Sequence, residues 1–252
     1  MTLTVQGVPL IGYLLASLRI VAWLAIVPPF STRGVPAMAK VVLACGLAFT
    51  VTPTLQSFPS GTPELLVLAL TQVAIGAAMG FVTMLLFAAV GAAGSIIDVF
   101  GGFSMAQGFD PLGMNQSTVF GRNHQMLATT LLLVSGGHLI VIGGLLRSFE
   151  VLPLGQSPAP DQHSSVLITA FTMFFVTAVQ IALPLVAVLF VADLGLALLT
   201  KVAPQLNAIN VMFPAKIGLT LLVIGLTLPV LPGVMGHLVD LANQAMAALV
   251  GG

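Results

Sequence analysis

Charge is scarce in this chain, and the scarcity excludes most soluble folds. Aspartate, glutamate, lysine and arginine make up 6% of its 252 residues, against about 25% in an ordinary globular domain. With 58% hydrophobic residues and a mean hydropathy of +1.13, the composition is that of an integral membrane protein. Seven bases are matched by seven acids, so no basic excess exists to bind nucleic acid. Cysteine is nearly absent. Cys45 stands alone inside an apolar run, which excludes a disulfide framework or cysteine metal site and leaves small buried packing as its role. The opening MTLTVQGVPL lacks the charged n-region of a cleaved signal peptide and reads as the lead-in to a first span. Catalytic signatures are also missing: there is no HExxH, GxSxG, Walker A or CxxC, and hence no enzyme constellation. His124, His163 and His237 show no metal-ligand spacing with one another or with a carboxylate, so neither metal nor cofactor is expected.

What the chain does have is long apolar runs. About six can be traced: Leu10 to Val27, Val35 to Val51, Leu65 to Val90, Met126 to Leu146, Val166 to Val191 and Ile217 to Leu231. The longer ones meet the roughly 20 residues a bilayer crossing needs. Pro28 and Pro29 close the first run, Pro184 should kink the fifth, and Pro229 and Pro232 end the sixth. In the third, Gly76, Ala77, Ala78 and Gly80 form a small-residue patch that another helix can approach closely. His138 in the fourth run could serve as a proton relay or a metal ligand, but a lone histidine more often makes a single interhelical hydrogen bond. The tail, Gly233 to Gly252, is weakly apolar and reads as an amphipathic segment or a partial re-entry. The fold class is therefore an all-α membrane protein with about six apolar helical segments.

One stretch departs from this pattern. Gly91 to Arg122, GAAGSIIDVFGGFSMAQGFDPLGMNQSTVFGR, holds glycines at 91, 94, 101, 102, 108, 113 and 121. Glycine costs a helix about 1 kcal/mol against alanine, and Pro111 biases Asp110 away from helix. The reading is an irregular segment, either an interfacial loop or a lining of something enclosed, since broken backbone at membrane depth needs protein or a water-filled cavity around it. Its cluster of Phe100, Phe103, Met105, Phe109 and Met114 admits two roles: ordinary packing, or a deformable apolar closure that excludes water. A second irregular stretch, Lys201 to Lys216 (KVAPQLNAINVMFPAK), reads as a turn between helices. Lys201, Pro204, Gln205, Asn207, Pro214 and Lys216 are its candidate residues.

The remaining charges fix an expected orientation. Arg33, Lys40, Arg122, Lys201 and Lys216 fall on one set of alternate loops; the other set holds only Arg147, beside Glu64, Glu150 and Asp161. The positive-inside bias then places the first set, and the 201–216 turn, in the cytoplasm and the amino terminus outside. Arg19, near the middle of the first run, should face protein or water and is expected to need partners from outside this chain. Lys40 and Lys216 lie at run ends, where snorkelling or an interhelical ion pair suffices. Asp98 and Asp193 are harder to place, because neither has a base three or four residues away. Arg19, Asp98 and Asp193 are the candidate buried charges for assembly. The alternative use of Asp98, Asp193 and His138 is a proton relay in a secondary transporter, although no internal repeat accompanies them.

Several segments together resemble the FliR family of flagellar export-gate proteins and its type III secretion relatives. They are Arg19 with Pro28, Gly34-Val35-Pro36 and Lys40, then GFVTMLLFAAV at 80–90 and the central glycines with Asp110-Pro111. GGHLIVIGGLLRSFEVLPLG at 136–155, ALP at 182–184 and VAPQLNAINVMFPAK at 202–216 follow. Each alone is weak; the combination spans nearly the whole chain. The resemblance implies a non-enzymatic subunit of a gate in the bacterial inner membrane, at the flagellar basal body. That gate is built with FliP and FliQ, works with FlhA and FlhB, and passes unfolded flagellar proteins out of the cytoplasm. An injectisome gate is the alternative. The resemblance further implies one membrane domain over 1–252, with 1–165 FliP-like and 166–252 a FliQ-like hairpin part. A loop at 103–116 would plug the pore, with Phe103, Met105, Phe109 and Met114 as its apolar bulk. Gly101, Gly102, Gly108, Asp110, Pro111 and Gly113 would shape its backbone. Some apolar runs would then be hairpins buried in a complex and not lipid-facing spans.

Overall fold

A computed structural model describes residues 7–32, 34–51, 61–103, 118–156, 160–203 and 208–251. These are overwhelmingly helical, and no strand occurs among them. In chain order the helices are α1 (Gly7–Ile26), α2 (Ala37–Ala48), α3 (Thr62–Gly101), α4 (Val119–Val134), α5 (Gly137–Val151), α6 (Pro160–Val202), α7 (Ala208–Thr227) and α8 (Leu231–Val250), with a 3₁₀ turn at Leu228–Val230 before α8. Three segments are long and apolar enough to cross a membrane: Thr62–Gly101, Ser165–Val202 and Pro214–Val250. The pair α4 and α5 makes a fourth if counted as one broken span.

The runs read from sequence are present, but several boundaries move. The third run does not stop at Val90. Helix α3 is 40 residues long and runs on to Gly101, so Gly91 and Gly94 are helical where an irregular segment was expected. The glycine penalty is offset because the missing Cβ at Gly94 lets the Phe120 backbone come close and that at Gly91 leaves room for the Gln125 side chain. The fourth run is broken after Val134, where Gly136 takes the left-handed conformation (φ 73°) that glycine adopts without steric cost. Much of the stretch 201–216 expected to be a turn is helical: α6 runs to Val202 and α7 begins at Ala208, with Pro214 inside it. Proline removes one helical hydrogen bond, which membrane-type helices tolerate where neighbouring groups take up the freed carbonyl. Pro229 and Pro232 interrupt the last run only briefly, because proline fits the first turn of a new helix.

Two compact units are interleaved along the chain. One comprises Met1–Leu86, Leu132–Phe171 and Gly236–Gly252. Within it α1 packs on α2 and on the first half of α3. The Tyr13 hydroxyl donates to the Cys45 carbonyl (2.6 Å), and the Tyr13 and Phe49 rings lie 4.5 Å apart. Gly76 meets α1 so closely that an added Cβ would strike the Arg19 carbonyl oxygen, and one on Gly80 would lie 3.2 Å from Ile26 Cβ. The small-residue patch is thus the seat of α1, as its composition suggests. In the same unit Gly137 and Gly144 of α5 face Val239, Asn243 and Met246 of α8. The Gly76 contact is backbone against backbone and cannot yield by a rotamer change. Gly76→Leu is expected to lower the thermal midpoint in detergent by the equivalent of about 1–3 kcal/mol or more. Gly143→Ala, whose Cβ would meet nothing within 4 Å, should leave the midpoint unchanged or slightly raised. Equal effects from both would remove the packing argument.

The other unit comprises Phe87–Leu131 and Thr172–Met235. Its core joins Ala93 and Ile97 of α3, Phe120 of α4, Ala182, Leu185 and Leu189 of α6 and Ile224 of α7. Phe103 packs against this core, its ring edge-on to Phe120 with centroids 4.8 Å apart.

Candidate functional site: buried charges at helix ends

A membrane helix leaves four N–H groups at its start and four carbonyls at its end without intrahelical partners. In this protein two fully buried charges meet such ends. The first is Arg19, on α1, with no exposed surface. Its Nε donates to Gln72 Oε1 of α3 (2.8 Å), Nη1 to the carbonyl and hydroxyl oxygens of Ser148 (both 3.3 Å), and Nη2 to the Leu152 carbonyl (3.1 Å). Its Cζ lies 4.2 Å from the centre of the Phe149 ring, a cation–π distance. Ser148 belongs to the last turn of α5, and Leu152 is its C-cap. The guanidinium therefore sits on the negative end of the α5 dipole, where a cation is stabilised. Among the described residues no carboxylate is paired with it; the compensation comes from a helix end, an aromatic face and neutral oxygens. The expectation that Arg19 needs partners from outside the chain is corrected: the chain supplies them from α3 and α5.

The second is Asp98, on α3, also fully buried. Its Oδ2 accepts the backbone N–H groups of Phe120 (2.8 Å) and Gly121 (3.1 Å), the second and third residues of α4. These are two of the orphan donors at a helix start, and the dipole there favours negative charge. Oδ1 has no hydrogen-bond partner among the described residues. Around this contact the Ser95 and Thr118 hydroxyls are 2.8 Å apart, and an added Cβ on Gly94 would strike the Phe120 carbonyl oxygen. One turn further on, buried His124 bonds through Nδ1 to the Phe120 carbonyl (2.9 Å). A carbonyl can only accept, so Nδ1 carries the proton.

The other candidates are distributed as follows. Lys216 Nζ of α7 donates to Asp193 Oδ2 of α6 at 2.8 Å, a partly exposed ion pair. Lys201 and Pro214 are exposed. Gly101 closes α3, Gly102 has φ 83°, and Phe103 is half-buried on the core already described. Met105, Gly108, Phe109, Asp110, Pro111, Gly113 and Met114 lie outside the described residues, as do Pro204, Gln205 and Asn207. His138 bonds through Nδ1 to the Leu132 carbonyl (3.3 Å) across the break between α4 and α5. Asp98, Asp193 and His138 are thus each held by a different partner. Among the described residues no group of three or more His, Cys, Asp or Glu is placed to hold a metal.

Sequence reading missed Gln72, Ser148, Phe149 and Leu152 as the setting of Arg19. A signal was present for one of them: Gln72 is the one side-chain amide in a largely apolar run. Ser95 and Thr118 carried none, being common residues with no distinguishing spacing.

Comparison with known proteins covers nearly the whole chain. The profile of the bacterial export proteins, family 1, matches residues 10–242. The flagellar biosynthetic protein FliR of Escherichia coli (strain K12) is 33% identical over 235 residues, covering 92% of this chain and 90% of that protein. FliR of Bacillus subtilis (strain 168) is 30% identical over 244 residues, 95% and 94% of the two chains. The Yop proteins translocation protein T of Yersinia pestis is 28% identical over 216 residues, 82% of each.

Proposed function

The chain belongs to the bacterial export proteins, family 1, and from that premise we propose that it is a subunit of the flagellar type III export gate in the bacterial inner membrane. The observation that carries this reading is identity of 30% or more to flagellar FliR proteins along nearly the entire length of both partners. In the proposed gate the chain forms, with FliP and FliQ, a pore through which unfolded flagellar proteins leave the cytoplasm, and FlhA and FlhB work beside it. Residues 1–165 supply a FliP-like part and 166–252 a FliQ-like hairpin. The loop at 103–116, with Phe103, Met105, Phe109 and Met114, plugs the pore at rest. Lys201 and Lys216 hold the connection between α6 and α7 at the cytoplasmic surface, which puts the amino terminus outside.

The internal chemistry supports a structural part and not an enzyme. Both buried charges are spent on helix ends, and Asp193 on Lys216. The same engagement argues against the proton-relay reading, which needs groups free to exchange partners. An injectisome gate remains the second reading, favoured by the similarity to the Yersinia translocation protein.

Co-expression in mild detergent tests the proposal. The chain should co-purify with FliP- and FliQ-like proteins as one stoichiometric complex, and its gene should restore swimming to a strain lacking FliR. A stable, monodisperse monomer that ignores those partners would count against the gate. Restoration of effector secretion in an injectisome mutant without restored swimming would favour the second reading.

A further inference from the structure

Helix contacts in this protein are mostly seated by glycine. Gly76 takes the backbone of α1, Gly94 that of α4, and Gly144 the Asn243 side chain of α8. An added Cβ would collide in each case, so each fit exists in one register only. Helix α7 is placed on α3 in the same way, since a Cβ on Gly101 would lie 3.0 Å from Thr220 Cγ2. The contact between α6 and α7 has no such seat. A Cβ on Gly195 of α6, or on Gly218 or Gly225 of α7, would meet nothing within 4 Å. The hydroxyls do not join the two helices either: Thr200 of α6 and Thr220 and Thr227 of α7 each bond a carbonyl of their own helix. Among the described residues, the one polar side-chain link between 182–202 of α6 and α7 is Lys216 Nζ on Asp193 Oδ2, at 2.8 Å.

The rest of the contact is apolar, and its pattern repeats along α6. Ala182, Leu185 and Leu189 share a core with Leu219, Val223 and Ile224 of α7. Four residues earlier, at the same spacing, α6 carries Ala178, Ile181 and Leu185. Exchanges between leucine and isoleucine conserve volume and cost little once the core repacks. A slip of α6 by four residues would therefore show α7 nearly the same apolar surface. What the slip cannot keep is the ion pair. It would carry Asp193 about 6 Å past Lys216 and bring Leu189 to its place. Phe190 and Leu194 beside Asp193, and Leu221 and Leu222 a turn beyond Lys216, are exposed apolar side chains, so the sequence around the pair offers neither charge a substitute.

We propose that Asp193 and Lys216 are positioning residues whose ion pair selects the register of the α6–α7 hairpin from two nearly equivalent apolar matches. Fixing register is the best-attested use of a polar group set within an apolar contact. The pair does so whatever the chain assembles with.

The test reads register as a distance. Spin labels are placed on cysteines at Leu198 and Leu226, both exposed, in the full chain with Cys45→Ala, in detergent. With the native ion pair one narrow distance is expected. Asp193→Asn and Lys216→Met should each add a second population, about 5 Å longer and holding about a tenth of the molecules or more. Exchanging the charges, Asp193→Lys with Lys216→Asp, should return the single distance. One unchanged distance in both single variants would overturn the proposal. So would a broad, continuous spread, which marks a loosened hairpin and not a slipped one. Where the single variants fail to fold, the exchanged pair decides: recovery of yield with the native distance supports the register role, and failure to recover overturns it.

Discussion

Replacing Arg19 with methionine is expected to lower the stability of the chain by about 3–5 kcal/mol, the cost of removing one member of a buried polar cluster. Methionine fills much of the same volume, so the effect is not a cavity. It comes from what is left behind. Gln72 Oε1 and the Leu152 carbonyl lose a charge-assisted donor in a region closed to water, while the Ser148 carbonyl keeps the Leu152 N–H and loses only its second donor. Each buried acceptor left unmet costs about 1–3 kcal/mol, and the α5 terminus also loses its compensating charge. Arg19→Lys should fall between wild type and methionine. Lysine keeps the charge but carries it on one nitrogen, which cannot reach α3 and two positions of α5 together as a planar fork does. Adding Gln72→Leu to Arg19→Met should recover about 1 kcal/mol or more, because it removes one of the orphaned groups. Thermal midpoints of the purified protein in one detergent, with yield from membranes as a second readout, give the comparison. A midpoint for Arg19→Met equal to wild type would mean that the cluster contributes nothing and that Arg19 serves only contacts beyond this chain.

The same cluster shows where sequence reading stops. A central charge in an apolar run announces a buried site, and Arg19 was legible for that reason. Its partners were not, because they lie 53 and 129 or more residues away and two of them are backbone carbonyls, which every residue possesses. Asp98 is the mirror case. A search for a base three or four residues along finds nothing, yet the charge is met by two amides 22 and 23 residues away. Helix ends act as partial charges without any charged residue to mark them. The boundaries at Gly91 and Gly94 failed for a related reason. Local propensity counts the cost of glycine but not the packing that a missing Cβ permits, and here the approach of α4 decides. By contrast, the apolar runs and the small-residue seat of α1 depend on composition over many residues, and they survive in the fold.

Removal of Phe103 to Gln116 is expected to make the assembled gate leak. Its ends are suited to the experiment. Ser95 and Thr118 touch through their hydroxyls, and Gly102 lies seven residues beyond Ser95, about 10 Å along a helix. A join of four glycine and serine residues, reaching about 13 Å, can therefore close the gap without pulling α4 off Asp98. What the deletion takes away is apolar bulk: Met105, Phe109 and Met114, and with them Phe103, which packs against Phe120. Each such side chain buried from water contributes roughly 1.5–3 kcal/mol. Losing even two would shift a closed-to-open balance by on the order of a hundredfold or more, since about 1.4 kcal/mol is tenfold. No covalent bond is needed to reseal the path in the wild type, and unbranched methionine can repack around passengers of varied shape, so a plug of this composition can yield and return. Planar-bilayer conductance of the deletion complex should rise by at least tenfold, while its subunit ratio in detergent stays as in wild type. A deletion complex that assembles and remains as tight as the intact gate would reduce the segment to a connector, and the closure would have to be sought in the partner subunits.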